Sequence, residues 1–175
     1  MPTVAIRLAK LEDAQAIATV HVKTWQFAYR GQVPDQYLDG LSVEQRTIRW
    51  QEMLAGLQAQ QQIFVAEVDS KIVGHCVVGR SRDADADETT GELYAIYVHP
   101  ASMNQGIGFA LLQTGQAYLV EQGFVSATLW VLGPNQHALR FYERNGWAAD
   151  GTTRTSEYGG ALVPVVRYAI RTLKE

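Results

Sequence analysis

Apolar residues recur along this chain with two different periods, and each period predicts one kind of element. Alternating apolar and polar residues predict a strand over residues 3–8, and apolar residues at every third or fourth position then predict a helix that stops at Gly31. A loop is predicted over residues 32–41. After it, Ser42 with Gln45 three positions on forms a capping box, which predicts the start of a second helix.

The middle of the chain is rich in β-branched residues and predicts three strands. Residues 63–68 and 72–80 are joined by a short polar link that is typical of a hairpin, and a third run covers residues 91–100 after the polar segment 81–90. Pro100 ends this third run because proline cannot donate a hydrogen bond to a ladder. We therefore expect an antiparallel meander.

The C-terminal part predicts two helices and three strands. The first helix ends at Gly123, and a shorter helix over residues 135–146 is capped by Asn135. Strands are predicted over residues 126–132, 147–153 and 163–170. The complete order is strand, two helices, three strands, helix, strand, helix and two strands. This order predicts a mixed α/β (α+β) fold, and we expect residues 1–175 to form one domain.

Composition and charge narrow the class of protein. The 175 residues are 47% hydrophobic and 19% charged, which is typical of a globular chain with a sizeable core. The net charge is −3 and the fifteen basic residues are scattered, so we expect no nucleic-acid partner. No apolar run approaches the length of a membrane helix, and the N-terminus lacks the apolar stretch of a signal peptide. We therefore expect a cytoplasmic protein that does not bind membranes.

The cysteine and histidine content predicts that no metal is bound. Cys76 is the only cysteine, which excludes an internal disulfide and any zinc site with several cysteines. Its strand-like flanks favour a small buried hydrophobic residue over a reactive nucleophile. The four histidines show no spacing typical of metal ligands.

Two glycines lie where the third predicted helix begins. Gly106 and Gly108 should each destabilise the first turn by up to about 1 kcal/mol relative to alanine. Their absent side chains would let a bulky anion reach the unpaired amides of the helix N-terminus, whereas the alternative is a tight loop or close helix packing. A Walker loop is excluded because Phe109 follows Gly108, and Leu111 does not fit a dinucleotide fingerprint.

The flanks of these glycines resemble the GCN5-related N-acetyltransferases. The pyrophosphate loop of that family reads Arg/Gln-x-x-Gly-x-Gly/Ala after a strand that ends in a Val-x-Pro-like turn, and Val98, Pro100, Gly106 and Gly108 stand at the matching positions. Met103 occupies the first motif position and departs from the pattern. The departure affects a side-chain contact to the cofactor, but it leaves the backbone cradle intact.

A second motif carries the same resemblance. An asparagine, an alanine and a Phe-Tyr pair in a short helix match Asn135, Ala138, Phe141 and Tyr142. The two motifs cover the C-terminal half, and the order of elements agrees along the whole chain. The resemblance implies a three-layer fold in which a mixed sheet of six to seven strands is flanked by about four helices.

The resemblance also implies acetyl-CoA as the acyl donor and a set of residues that bind it. In the family, the pantetheine amides pair with the strand before the glycine loop, where the sheet splays open. Asn135 is either a cofactor ligand or only a helix cap. The expected cofactor-binding residues are Ile96, Tyr97, Val98, Met103, Asn104, Gln105, Gly106, Ile107, Gly108, Phe109, Asn135, Ala138 and Tyr142.

Acetyl transfer to an amine needs a base and a proton donor. Most aliphatic amines are protonated at pH 7, and the resemblance places a catalytic carboxylate at Glu92, acting directly or through water. The alternative for Glu92 is a solvated residue at a strand end. The resemblance makes Tyr142 the proton donor to the departing thiolate, whereas the alternative is an aromatic side chain packed on the inner face of its helix. Direct attack in a ternary complex needs no covalent intermediate.

The acceptor is expected to be a primary amine of a small molecule. By resemblance, Trp25, Phe27, Tyr29 and Arg30 wall the acceptor site, with Trp25 and Tyr29 as its binding residues, and such aromatic side chains suit a small cationic or amphipathic amine as well as ordinary core packing. A peptide or protein amine, or a CoA-binding sensor without catalysis, is the alternative. A homodimer is compatible with each of these functions. One acidic segment either steers a cation or forms a solvated hairpin tip, and it contains Asp83, Asp85, Asp87 and Glu88.

Overall fold

The predicted meander forms three neighbouring strands of a mixed seven-stranded sheet. In this computed structural model, which describes residues 3–174, the spatial order is β1-β2-β3-β4-β5-β7-β6. Neighbouring strands are antiparallel except for β4 and β5, which are parallel. The strands are β1 Val4–Leu8, β2 Gln62–Val68, β3 Lys71–Arg80, β4 Thr90–Val98, β5 Ser126–Leu132, β6 Ala148–Tyr158 and β7 Ala161–Ile170.

Five α-helices flank the sheet within residues 3–174, one more than expected. The additional helix lies in the predicted loop, begins directly after Pro34 and buries Leu38 completely. Its five residues are too few to show a helical period in the sequence. At the next helix the predicted cap is confirmed, because the Ser42 side chain accepts a hydrogen bond from the Gln45 amide at 3.2 Å. The helices are α1 Ala14–Ala28, α2 Asp35–Asp39, α3 Val43–Ala55, α4 Ile107–Glu121 and α5 Gln136–Arg144.

The sheet separates two hydrophobic layers, as the three-layer expectation requires. Alternate residues of a strand point to opposite faces, so Val77 packs with α1 and α3 while Cys76 and Val78 pack with α4. The α5 helix contributes Tyr142 to the layer that contains α4. The α1 and α3 helices therefore lie on the face of the sheet opposite α4.

The parallel pair at the centre of the sheet separates halfway along its length. Pairing between β4 and β5 runs from Thr90 opposite Ser126 only as far as Leu93 opposite Leu129. Directly after Leu93, the register of β4 against β3 shifts by one residue, which places a bulge at Tyr94. A bulge bends and twists its strand. The rest of β4 thus leaves β5 and opens a wedge between them.

The hairpin of β6 and β7 is longer than predicted and reaches across to α2. Its turn lies at Gly159 and Gly160, both at positive φ, and the Tyr158 ring packs on Tyr37 at 5.9 Å between centroids. Most of β6 is exposed at the edge of the sheet, so it lacks the apolar alternation that predicts a strand. The hairpin closes the side of the wedge that faces α1 and α2.

Candidate functional site

The N-terminus of α4 presents backbone amides without helical partners. The first bond of the helix runs from the Ala110 amide to the Gly106 carbonyl oxygen at 3.0 Å. The amides of Ile107, Gly108 and Phe109 therefore precede any intrahelical bond, and no side chain caps this end within residues 3–174. Three free N–H groups and the positive end of the helix dipole make this end suited to an anion.

The two glycines of this turn are present for different reasons. Gly106 has φ +79°, which a residue with a side chain rarely adopts, and nothing lies within 4 Å of where its Cβ would be. Gly108 has an ordinary helical conformation, and a Cβ there would lie 3.6 Å from the Phe141 ring, which is a normal contact. Crowding therefore explains neither glycine. Gly106 is required by its backbone conformation, whereas position 108 has room for a methyl group.

The free edge of β4 lines the wedge. The His99 amide donates to the Val73 carbonyl oxygen at 2.7 Å, and polar groups alternate in direction along an antiparallel strand. The backbone groups of Ile96 and Val98 consequently point away from β3 toward the wedge, while those of Tyr97 face β3. Of these groups, the Val98 carbonyl oxygen already accepts a hydrogen bond from Thr24 Oγ1 at 3.0 Å.

Tyr142 lies buried on α5 beside this wedge. The helix begins as predicted, with the Asn135 side chain accepting a hydrogen bond from the Ala138 amide at 3.3 Å, so the capping role of Asn135 is confirmed. The Tyr142 ring packs between Phe141 and Trp147. Burial raises the pKa of Tyr142 well above its ordinary value of 10, so its phenol keeps its proton at neutral pH. The phenol can donate a hydrogen bond.

Glu92 is neither solvated nor free. Its side chain is 2% exposed, and its Oε1 lies 2.6 Å from Arg82 Nη2. The Arg82 amide donates to Glu92 Oε2 at 2.8 Å, and the guanidinium stacks over the Tyr94 ring at 3.9 Å. The interpretation of Glu92 as a solvated strand-end residue is therefore wrong. Its buried carboxylate is held by Arg82, which follows β3 and has a side chain that is 62% exposed.

The acidic segment between β3 and β4 is only partly a solvated tip. Arg167 on β7 binds Asp83 at 3.3 Å and Asp85 at 2.7 Å, and Asp83 also accepts a hydrogen bond from Trp130 Nε1 at 2.9 Å. Glu88, by contrast, has a side chain that is 90% exposed. The expected solvated tip is thus wrong for Asp83, whose ion pair ties this connection to β5 and β7.

Two of the four expected acceptor residues face inward. The Trp25 ring packs edge to face on Tyr29 at 4.8 Å and on Tyr158 at 5.4 Å. Phe27 is 63% exposed, and Arg30 pairs with carboxylates of α2 at the surface. The expectation that Phe27 and Arg30 wall the site is wrong, because Phe27 lies on the exposed face of α1 and Arg30, which follows α1, is paired at the surface.

One half-buried and one fully buried histidine adjoin the acceptor wall, and no sequence motif marks either of them. The His21 ring stacks on Tyr97 at 5.4 Å, and its Nδ1 accepts a hydrogen bond from Trp50 Nε1 at 3.3 Å. His75 is fully buried, and neither ring nitrogen has a hydrogen-bond partner within residues 3–174. Burial lowers the pKa of His21 to about 4 and that of His75 to about 3. Both rings are neutral at pH 7.

Burial, clustering and helix length are the structural criteria that bear on Cys76, on metal binding and on membrane insertion, respectively. Cys76 is fully buried, and burial raises the pKa of its thiol to about 12, which confirms the interpretation as a core residue. In the described part of the chain, no three histidine, cysteine or acidic side chains cluster closely enough to hold a metal ion. None of the helices within residues 3–174 combines the length and apolar character needed to cross a bilayer.

Comparisons with known proteins agree with this geometry. Residues 14–147 match the family described as the Acetyltransferase (GNAT) family. The N-acetyltransferase YuaI of Bacillus subtilis (strain 168) is 34% identical over 141 residues, which covers 80% of this chain and 78% of that protein.

Two solved structures share the fold. PaiA N-acetyltransferase from Thermoplasma acidophilum, crystallised with coenzyme A, is 20% identical with a TM-score of 0.76, and the alignment covers 94% of this chain and 98% of that chain. YncA from Salmonella typhimurium, solved with acetyl-CoA, is 18% identical with a TM-score of 0.72, over 98% of this chain and 95% of that chain. The family match extends from α1 through α5 and includes both motifs beside the wedge, and the chain therefore belongs to the acetyltransferase (GNAT) family.

Proposed function

We propose that this protein transfers an acetyl group from acetyl-CoA to a primary amine of a small molecule, by direct attack in a ternary complex. The observation that carries the proposal is the wedge itself. The free edge of β4, the uncapped N-terminus of α4 and the Tyr142 phenol all adjoin it. The family and the two neighbours solved with CoA or acetyl-CoA support the same donor.

The residues beside the wedge fit the chemical parts of acetyl-CoA. The amides of Ile107, Gly108 and Phe109 would hold the pyrophosphate, since unpaired N–H groups at a helix N-terminus bind anions. The backbone of Ile96 and the Val98 amide would pair with the pantetheine amides by adding a strand to the free edge. Acetyl-CoA supplies the thioester, whose acyl carbon is electrophilic and whose thiolate is the leaving group.

Tyr142 serves as the hydrogen-bond donor to the leaving sulfur. In the reaction, the amine nitrogen bonds to the acyl carbon, the carbon–sulfur bond breaks and the sulfur gains a proton. Because the pKa of Tyr142 is raised, its phenol stays protonated and donates a hydrogen bond to the developing thiolate. The aromatic neighbours of Tyr142 fix its ring in one orientation.

Glu92 receives the amine proton through water. The carboxylate is already bound by Arg82 through both the backbone amide and the guanidinium, so it cannot approach the amine without giving up those bonds. A water molecule between the amine and this ion pair removes that conflict. Proton transfer of this kind contributes roughly 10²- to 10⁴-fold in rate.

A small acceptor is favoured over a peptide by the closed acceptor wall. An extended peptide needs an open groove, whereas Trp25 packs against both Tyr29 and Tyr158. The β6–β7 hairpin reaches α2 through Tyr37 and closes the same side. A sensor without catalysis would not need the Tyr142 phenol next to the wedge.

The proposal is tested by acetyl-CoA binding and by amine-dependent release of the CoA thiol. Tyr142→Phe should lower kcat by roughly 100-fold with the Kd for acetyl-CoA unchanged, because the phenol acts on the leaving group. Tyr118→Phe, at a half-buried tyrosine on α4, is the matched control and should keep wild-type rates. Saturable binding of acetyl-CoA without release of the CoA thiol in the presence of any amine would favour the sensor. No binding of acetyl-CoA would overturn the proposal.

A further inference from the structure

A polar cavity lies between α2 and α3, next to the acceptor wall. Its volume is about 340 Å³. Hydrogen-bond donors dominate its lining, which includes no carboxylate within residues 3–174. The polar side chains that line it are those of Gln36, Tyr37, Ser42, Gln45, Arg46 and Arg49.

The two arginines of this cavity have no carboxylate partner within 4 Å in the described part of the chain. Arg46 and Arg49 are three residues apart on α3, so both lie on one side of that helix. Two carboxylates of the neighbouring α2, Asp35 and Asp39, are already paired with Arg30. Two like charges at this spacing destabilise a helix by a few tenths of a kcal/mol. A ligand with negative charge would remove the repulsion.

The cavity adjoins the wall of the proposed acceptor site. Its Tyr37 packs on Tyr158, which in turn packs on Trp25. Burial lowers the pKa of His21, and the charge of Arg46 lowers it further. Burial raises the pKa of Tyr97, and Arg46 opposes that rise. The charge of Arg46 therefore acts on both rings beside the wedge.

The other polar groups along this path are also donors. Trp25 Nε1 is buried and makes no hydrogen bond of good geometry within residues 3–174, although the Tyr97 side chain lies close enough to interact with it. The Nδ1 of the neutral His21 accepts a hydrogen bond from Trp50, so the Nε2 of His21 carries the proton. A ligand that completes this site must supply acceptors, which a carboxylate does and an ammonium group does not.

The phosphates of acetyl-CoA do not explain this cavity. Their proposed binding site is the N-terminus of α4, and α4 packs on the opposite face of the sheet from α3. The positive charge on the α3 face therefore serves a different anion. Arginine is the side chain best suited to bind a carboxylate through two parallel hydrogen bonds.

We propose that the acceptor amine also carries a carboxylate, which Arg46 and Arg49 bind, so that the substrate is an amino acid or a related amino-carboxylate. This inference rests on the proposed acetyltransferase function and narrows its acceptor class. It replaces the cationic amine expected from the aromatic wall alone. The carboxylate anchors one end of the acceptor at α3 while its amine points into the wedge.

The test compares acceptors in matched pairs that differ only in the carboxylate. Suitable pairs are β-alanine with ethylamine, 4-aminobutyrate with propylamine, leucine with isopentylamine, and phenylalanine with phenethylamine. The wild type should use at least one acid with a kcat/KM at least about tenfold above that of its decarboxylated partner, as charge-assisted hydrogen bonds allow. An enzyme that uses the decarboxylated amines equally well or better would overturn the inference.

The arginine variants locate the effect. Arg46→Gln should raise KM for the preferred acid by about 10- to 100-fold and should leave kcat/KM for the decarboxylated partner within about threefold. Arg46→Lys should recover part of the loss, and Arg49→Gln should act in the same direction. The control Lys23→Gln removes an exposed positive charge on α1 and should change neither substrate.

The outcomes separate this inference from the proposed function. If Arg46→Gln lowered kcat/KM equally for both members of a pair, the carboxylate site would be overturned and the acetyltransferase function would stand. Saturable acetyl-CoA binding with turnover of neither member of any pair would also overturn the carboxylate site. A wild-type protein that does not bind acetyl-CoA would instead overturn the proposed function.

Discussion

Acid should destabilise this protein through the half-buried His21 and the fully buried His75. Burial lowers the pKa of His75 to about 3 and that of His21 to about 4, whereas both titrate near 6.5 in an unfolded chain. Below pH 6.5 both histidines are therefore protonated in the unfolded state, whereas they stay neutral in the native state until the pH approaches their native pKa values. The free energy of unfolding is then fully retained above pH 6.5 and falls as the pH drops toward the native pKa values.

The size of the effect follows from proton linkage. Each histidine contributes about 1.4 kcal/mol per pH unit well below pH 6.5, so lowering the pH from 7 to 5 should remove about 4 kcal/mol for the pair. Natural domains typically have a free energy of unfolding of about 5–15 kcal/mol, so this loss would be a large part of the total. The carboxylates with lowered pKa values, including Asp13 and Asp150, lose their contribution only below about pH 4.

Urea unfolding at several pH values, followed by circular dichroism, measures this slope. His75→Leu should halve the loss between pH 7 and pH 5, to about 2 kcal/mol, because one titrating ring is gone. At pH 7 the same variant should gain about 1 kcal/mol, since it removes two ring nitrogens without hydrogen-bond partners in the described chain. The control Val65→Ala, opposite His75 on β2, should lower stability equally at every pH.

A flat profile for the wild type between pH 7 and pH 5 would refute this reasoning. So would an unchanged slope in His75→Leu with native-like circular dichroism. Either result would mean that water or a rearranged neighbour satisfies the ring when it is protonated.

Three further predictions concern the helix N-terminus, the ion pair of Glu92 with Arg82, and the strand connection. Gly106→Ala should cost about 1–2 kcal/mol of stability in urea unfolding and should weaken acetyl-CoA binding in calorimetry, because a methyl group is strained at its positive φ. Gly108→Ala should instead stabilise the protein by up to about 1 kcal/mol and keep binding within a few fold. Glu92→Gln should lower kcat, measured by thiol release, because the amide cannot receive the amine proton. The Kd for acetyl-CoA should not change, since the Arg82 amide would keep its hydrogen bond to residue 92 although the guanidinium loses its charge partner. Arg167→Met should cost about 3 kcal/mol and should speed hydrogen exchange in residues 81–89, because Asp83 would be left buried without its partner.

Each of these predictions has an opposite result that contradicts it. Equal effects of alanine at positions 106 and 108 would contradict the two different roles of the glycines. An unchanged kcat in Glu92→Gln would remove that residue from the proton path. Unchanged exchange in residues 81–89 of Arg167→Met would show that other contacts hold the connection.

The sequence predicted the elements that repeat a period over many residues or carry a local cap. The helix that starts at Ser42 and the meander of β2 to β4 were both predictable, because their signals are contiguous. The helix Asp35–Asp39 was not, since five residues cannot show a period. The last five residues of β6, 154–158, were missed because most of this edge strand is exposed and has no apolar alternation.

The same distinction applies to the candidate site. The glycine turn and the Asn135 cap are local motifs, and the structure places both beside the wedge. Contacts between distant residues were not predictable from local pattern: Arg167 meets Asp83 across 84 positions in the sequence. His21 has an ordinary position in an amphipathic helix, and only the packing of α1 on the sheet brings it to Tyr97.

The most direct test of the central claim is mass spectrometry of amines incubated with the protein and acetyl-CoA that carries a ¹³C-labelled acetyl group. The acetyltransferase account predicts that the label appears on the nitrogen of an acceptor, in proportion to the CoA released, and that it is absent without protein. Saturable binding of acetyl-CoA with no labelled amine from any acceptor would contradict acetyl transfer, and no binding at all would contradict the assignment of the wedge.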